Sequence, residues 1–152
     1  MDQLKELLNM NIFLQEATRE DLKIIRDFMK KVESRLFHAT TEEDELKEFI
    51  KDNKVFFIVL DNNKVGIVAY RLKENFNYLS ELIVAPQYQK KGIASLVIKK
   101  VLEKINDKPV ELFTHPENTP AIITYLKAGF VIKSWKENCY GDGEARILMV
   151  KD

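Results

Sequence analysis

The chain of 152 residues is poor in most residues that signal a special chemistry. It has one cysteine, Cys139, which excludes an internal disulfide framework and a cysteine-based zinc site. Two histidines, His38 and His115, are too few for a histidine-rich metal centre, so no metal is expected. Five glycines and four prolines leave no room for a flexible linker, and they fall at the boundaries of ordered segments rather than in repeats. No apolar run reaches the roughly 20 residues that cross a bilayer. The first residues, Met1-Asp2-Gln3-Leu4-Lys5-Glu6, are charged at once and lack a signal-peptide core. The expectation is a soluble, cytoplasmic protein with no membrane partner. Net charge is also missing: 24 basic side chains stand against 24 acidic ones.

What is present is 45% hydrophobic and 32% charged residues, the balance of a folded chain rather than a disordered one. Its length fits one domain, 1–152, able to bury a core without staples. The zero charge conceals a gradient. Residues 1–52 carry 9 basic and 13 acidic side chains, residues 53–108 carry 10 and 5, and residues 109–152 carry 5 and 6. The middle third is basic, and Lys90, Lys91, Lys99 and Lys100 lie in a stretch without an acid. Charge alone reads this as a solvated lysine face. Basic and aromatic residues do not alternate, so nucleic acid is not an expected partner.

Hydrophobic periodicity sets the order of elements. Ile12-Phe13-Leu14 is a short strand. Thr18-Arg19-Glu20-Asp21 opens a helix with Leu22, Ile25 and Met29 at helical spacing. Thr40 or Thr41 opens a second helix, with Glu42 to Glu45 in its first turn and Leu46, Phe49 and Ile50 as its stripe. A short helix at Met1–Met10 is a further expectation. Val55–Leu60 and Val65–Arg71 flank the turn residues Asp61-Asn62-Asn63-Lys64 as a hairpin. Tyr78–Val84 follows as a third antiparallel strand. Ile93, Leu96, Val97, Val101 and Ile105 mark a long helix, and Val110–Thr114 a strand. Thr119 is a cap for a helix from Pro120 to Lys127 that Gly129 stops. Phe130–Trp135 and Arg146–Lys151 are the last strands. The order is β-α-α-β-β-β-α-β-α-β-β, a mixed α/β (α+β) sheet of about seven mostly antiparallel strands flanked by helices. Tyr78 to Thr114 forms a right-handed strand–helix–strand crossover.

Two segments carry chemistry. In Glu81-Leu82-Ile83-Val84-Ala85-Pro86-Gln87-Tyr88-Gln89-Lys90-Lys91-Gly92-Ile93-Ala94-Ser95 a strand ends, a proline breaks it and a helix begins. The first turn of a helix offers unpaired N–H groups and the positive end of the dipole, and small residues let a ligand approach. The segment reads equally as a phosphate or pyrophosphate cradle and as an ordinary strand–helix turn. In the second segment, Asn118 to Phe130, Ala121 and Tyr125 share one helix face. A small residue beside a phenol leaves room for a thin ligand, while a buried core tyrosine is the plainer alternative.

Together the two segments resemble the GNAT family of N-acetyltransferases. Gln89, Gly92 and Ala94 match its Q/R-x-x-G-x-G/A loop. Asn118, Ala121, Tyr125, Gly129 and Phe130 match N-x-x-A-x-x-x-Y-x-x-x-G-F. The resemblance covers 12–151, and the tail Tyr140-Gly141-Asp142-Gly143-Glu144 with Leu148-Met149 is similar to ribosomal-protein and N-terminal amine acetyltransferases. It implies that acetyl-CoA binds where two parallel strands splay, with its pantetheine arm on the backbone of Leu82, Ile83 and Val84. It implies pyrophosphate on the amides of Lys90, Lys91, Gly92, Ile93, Ala94 and Ser95, below Gln89, and a contact from Asn118. It implies an amine-bearing acceptor as partner, Tyr125 as general acid to the departing thiolate and Glu81 as a candidate base. Glu111, His115 and water remain alternatives for the base, because N-terminal acetyltransferases carry a glutamate where this chain has Phe113. His38 is a candidate acceptor contact. Cys139 has no activating neighbour in sequence. A non-catalytic acetyl-CoA sensor or scaffold is the competing reading, and either a monomer or a homodimer is compatible with it. Lys99 and Lys100 read as solvated helix surface.

Overall fold

A computed structural model describes residues 11–152 of the protein; the helix expected at Met1–Met10 lies outside them. Strand β1 (Ile12–Glu16) leads through a 3-10 turn (Arg19–Asp21) into helix α1 (Leu22–Val32). Helix α2 (Glu43–Asp52) precedes β2 (Lys54–Leu60), β3 (Asn63–Leu72) and β4 (Asn77–Val84). A 3-10 turn (Pro86–Tyr88) then carries the chain to α3 (Ile93–Ile105). The remainder is β5 (Val110–Thr114), α4 (Thr119–Lys127), β6 (Val131–Lys136) and β7 (Arg146–Lys151). This is the order expected from sequence. One sheet joins the strands as β1-β2-β3-β4-β5-β7-β6, and only the central pair β4–β5 is parallel.

Local chemistry explains most boundaries. The Thr18 N–H donates to the Asp21 carboxylate at 2.9 Å and fixes the entry to α1. Asp61 and Asn62 both take positive φ, 48° and 68°, which is the twist-matched two-residue hairpin between β2 and β3. Two helix starts differ from expectation. Glu42, not Thr40 or Thr41, is the N-cap of α2, with its carbonyl accepting from Leu46 N at 2.9 Å. Asn118, not Thr119, is the N-cap of α4, and its side-chain oxygen accepts from the Ala121 N–H at 3.4 Å. Both asparagine and threonine are good caps, and the bond from Asn118 N to the His115 carbonyl (3.0 Å) fixes Asn118 as the turn residue.

The centre of the sheet is buried on both faces. Ile25, Phe28 and Met29 of α1 and Leu46 of α2 pack with Phe57, Ile67 and Ile83 on one side. Val97, Val101 and Ile105 of α3 pack with Val68, Leu79 and Leu112 on the other. This explains why Val65–Tyr70 is a continuous apolar run rather than an alternating one.

Two irregularities in β4 open the middle of the sheet. It pairs with β5 only at Asn77↔Val110 and Tyr78↔Glu111, and beyond that point the two parallel strands separate. Buried Asn77 pins the closed end: its side-chain amide donates to the Ile105 carbonyl (2.8 Å) and the Asp107 carboxylate (3.0 Å). Opposite β3 the register runs Tyr70↔Leu79 and then Ala69↔Glu81, so Ser80 is the extra residue of a β-bulge. Gly66 holds β3 tightly against the far end of β4. A Cβ there would collide with the Ile83 carbonyl oxygen and sit 3.1 Å from Ile58 Cδ1. Gly66→Ala is therefore expected to destabilise by about 3 kcal/mol through overpacking against backbone. A thermal melt checks this, with a Tm drop on the order of 10 °C.

Candidate active site

The gap between β4 and β5 is the centre of two adjoining cavities. One is a groove of about 320 Å³ bounded by Leu82, Val84, the Gln89–Ser95 turn and the α4 residues Ala121, Thr124 and Tyr125. The other is a more enclosed pocket of about 90 Å³ that reaches Ser80, Glu81, Phe113, His115, Tyr140 and Arg146. Leu82, Asn118, Ala121 and Tyr125 line both.

The groove is built from backbone. After Pro86 the chain turns through Lys90 (φ 64°) and Gly92 (φ 84°), two left-handed residues that aim successive amides to one side. Among the described residues, none of the amides from Lys90 to Ser95 donates to a backbone carbonyl; the first to do so is Leu96, to Gly92 at 3.2 Å. Six free donors at the start of a 13-residue helix form an anion cradle. The Gln89 side chain ties this turn to the end of β4 by donating to the Val84 carbonyl at 2.8 Å. Lys90 lines the groove. The Lys91 ammonium lies 5.8 Å from the Tyr88 ring centroid and does not line it. Ile83 faces the core with its side chain, 2% exposed, and can offer a ligand only its backbone.

The spacing from Tyr125 to Phe130 is a helix stop. The Phe130 N–H donates to the Tyr125 carbonyl at 3.0 Å and Gly129 N to Leu126 O at 3.1 Å, with Gly129 at φ 101°. This is the paired-bond C-cap that requires a glycine and brings the flanking apolar residues together. The Tyr125 and Phe130 rings accordingly meet edge to face at 5.8 Å. The cap fixes the Tyr125 ring at the junction of the two cavities, where its hydroxyl has no hydrogen-bond partner among the described residues. Burial, then the charge of Glu81 and the phenol of Tyr78, raise its pKa above the ordinary tyrosine range, so it is protonated at neutral pH.

The bulge at Ser80 turns Ser80, Glu81 and Leu82 together toward the enclosed pocket. Desolvation pushes the Glu81 carboxyl up to about 8. Tyr78 and Tyr140 stand nearby, both raised chiefly by desolvation. The other candidate bases are placed differently. The His115 Nδ1 accepts from Glu117 N at 3.0 Å, so Nε2 carries the proton and faces Glu144 at 2.8 Å. Neither nitrogen has a lone pair to spare. Glu111 pairs beside Tyr78 and lines neither cavity. His38 stacks on Tyr140 at 5.7 Å on the pocket wall, and Cys139 is a partly exposed free thiol.

Sequence reasoning missed the rim. Arg35 bonds Glu117 (2.8 Å) and Glu144 (2.7 Å), and buried Arg146 bonds Asp142 (2.9 Å) under the Tyr140 ring. These partners are up to 109 residues apart, and no local pattern announces them.

Residues 14–152 match the domain family described as acetyltransferase (GNAT) domain. An N-alpha-acetyltransferase of Sulfurisphaera tokodaii is 29% identical over 120 residues, 67% of this chain and 72% of that protein. Another curated relative is 27% identical over 90 residues, and the chain spans only 26% of its length. Among solved structures, a ribosomal-protein alanine N-acetyltransferase from Escherichia coli superposes with TM-score 0.79 at 16% identity, covering 92% of each chain. A chimera of the spermidine N-acetyltransferase SpeG from Vibrio cholerae gives 0.76 at 22% identity, covering 92% of this chain and 94% of that one.

Proposed function

The chain belongs to the GNAT acetyltransferase family, and from that premise we propose that it transfers the acetyl group of acetyl-CoA to a primary amine by direct attack. The observation that carries this reading is the junction of the two cavities at Tyr125. The larger groove suits acetyl-CoA. Its unpaired amides from Lys90 to Ser95 match a pyrophosphate, the edge of Leu82 to Val84 left unpaired by β5 matches an amide-rich arm beside the Val84 carbonyl that Gln89 engages, and Ala121 leaves space for it. The thioester supplies an electrophilic acyl carbon next to a leaving thiolate.

The chain's residues handle two protons. The acceptor arrives as an ammonium and must lose one before its lone pair can attack. Glu81 takes it, directly or through water; a carboxyl pushed up to about 8 is basic enough to compete for it. A backbone amide at the end of β4, near Val84, polarises the acyl carbonyl as a single oxyanion donor. As the new C–N bond forms and the C–S bond breaks, Tyr125 gives its phenol proton to the sulfur. The nitrogen sheds its second proton to water as the amide forms; solvent returns one proton to Tyr125 and removes one from Glu81, a net release of one proton. Asn118, whose carbonyl caps α4, keeps its amide hydrogens for the cosubstrate.

The test is an acceptor panel with acetyl-CoA, read by thiol release. Turnover with an amine is the expected result. Tight acetyl-CoA binding with no thiol release across small amines, polyamines, peptide N-termini and lysine peptides would establish the sensor reading instead.

A further inference from the structure

The direction of Glu81 is set by one residue. Leu79 faces α3, in the core it shares with Val68 and Val97. In a regular strand residues two apart share a face, so Glu81 would enter that apolar core as well. The extra residue at Ser80 reverses this. Glu81 pairs with Ala69, and Ala69 and Ile83 pack toward α1 and α2. A bulge leaves its extra residue outside the ladder, and β5 has already separated from β4 at this point. Ser80 is held by neither neighbouring strand in register, and its anchor comes from elsewhere.

That anchor is Asn53, the C-cap of α2. The Asn53 backbone N–H and its side-chain amide both donate to the Phe49 carbonyl, at 3.1 and 2.8 Å. They satisfy an oxygen near the end of the helix, where carbonyls lack partners in the next turn. With its nitrogen committed to Phe49, the Asn53 side chain turns its oxygen to β4, where the Ser80 hydroxyl donates to it. The reversed amide would set oxygen against oxygen at Phe49, so the polarity of the pair is fixed. Lys54 pairs with Tyr70, and Tyr70 with Leu79, so Asn53 reaches across β3 to make this bond.

We propose that Asn53 and Ser80 are positioning residues: their hydrogen bond holds the β4 bulge and thereby aims Glu81 into the enclosed pocket. Both act through Glu81, so their role rests on its reading as the base. The titratable and charged groups around Glu81 are Tyr78 on its own strand, Tyr125 of α4, Tyr140 and Arg146 at the β6–β7 turn, His38 after α1 and His115 after β5. The variants below leave all six in place.

Carbon-13 NMR titration of the Glu81 carboxyl in the full chain reads its aim without any acceptor. Desolvation holds the parent midpoint at about 8. In Ser80→Ala, Asn53→Ala and the double variant, a loosened bulge lets the carboxyl reach water. The midpoint is then expected to fall toward the ordinary 4.5. The sign is diagnostic, because loss of a polar neighbour alone would desolvate the carboxyl further and raise the midpoint. The double variant is expected to match either single one, since all three remove the same bond. Ser80→Thr keeps the hydroxyl and is expected to keep the parent midpoint. If Asn53→Ala fails to fold for want of its helix cap, Ser80→Ala and Ser80→Thr decide alone. In rates, Ser80→Ala is expected to lower kcat/KM for the fastest amine of the acceptor panel by roughly 10–100-fold, with the KM for acetyl-CoA within about twofold of the parent. A folded Ser80→Ala protein with an unchanged or raised midpoint overturns the inference, as does a double variant whose shift is the sum of the two singles. Absence of thiol release with every amine overturns the acetyltransferase reading instead, and the Glu81 midpoint still decides whether Asn53 holds the bulge.

Discussion

Tyr125→Phe is expected to lower kcat by about 10²–10⁴-fold, the range of a lost general acid. The ring stays and only the hydroxyl goes. The edge-to-face contact with Phe130 and the glycine-dependent helix stop are untouched, so the shape of the groove is retained. The KM for acetyl-CoA is accordingly expected to remain within about twofold of the parent, the pattern of an interaction made in the transition state. The pH dependence is diagnostic. A thiol with a reference pKa of about 8.5 leaves readily as the thiolate at higher pH, so the defect is greatest near neutrality and narrows above that value. Burial and the neighbouring Glu81 keep the phenol protonated throughout this range. A Tyr125→Phe protein with the parent kcat at pH 7 removes Tyr125 from the chemistry.

Glu81→Gln is expected to remove a titration as well as a rate. A base must be ionised to act. With the Glu81 carboxyl pushed up to about 8, kcat/KM of the parent falls below that pH as the group takes on a proton. The variant cannot accept a proton at any pH. Its residual rate is expected to be lower by roughly 10²–10³-fold on the alkaline plateau, and the limb assigned to Glu81 disappears. Stability moves the other way. Glu81 titrates near 4.5 in the unfolded chain and near 8 in the folded one. Between those values the folded state binds the extra proton, so the parent loses stability as pH rises through the window. Glu81→Gln has no such slope and is expected to melt above the parent at pH 8 and closer to it at pH 5. Thermal melts at the two pH values, beside the rate profile, separate loss of a base from damage to the fold. A parent profile flat between pH 6 and 9 would refute the assignment.

The helices and strands were legible because their signals are local: alternating or helical periodicity, turn residues such as Asp61-Asn62, and Gly129 as a stop. The Gln89–Ser95 turn was legible for the same reason, since Gln89, Gly92 and Ala94 lie within six residues. What escaped was either degenerate or distant. Asn118 and Thr119 are both good caps, and only folded-state bonds, to His115 and from Ala121, distinguish them. The bulge at Ser80 carries no glycine or proline to mark it, yet it decides where Glu81 points. Asp142 and Glu144 stood out only within the Tyr140–Glu144 tail, and no local pattern ties them to Arg35, Glu117 or Arg146, because their pairing is set by which loops the sheet order brings together at the open end of β4 and β5.

The sharing of Leu82, Asn118, Ala121 and Tyr125 by two cavities with otherwise different walls has a kinetic consequence. On the proposed reading, each substrate has its own doorway and the two meet end to end at a common threshold. Neither occupies the other's approach, so no order of arrival is imposed and neither product blocks the other's exit. If the proposed reaction holds, catalysis is expected to proceed through a complex holding both substrates at once, read as intersecting rather than parallel double-reciprocal plots.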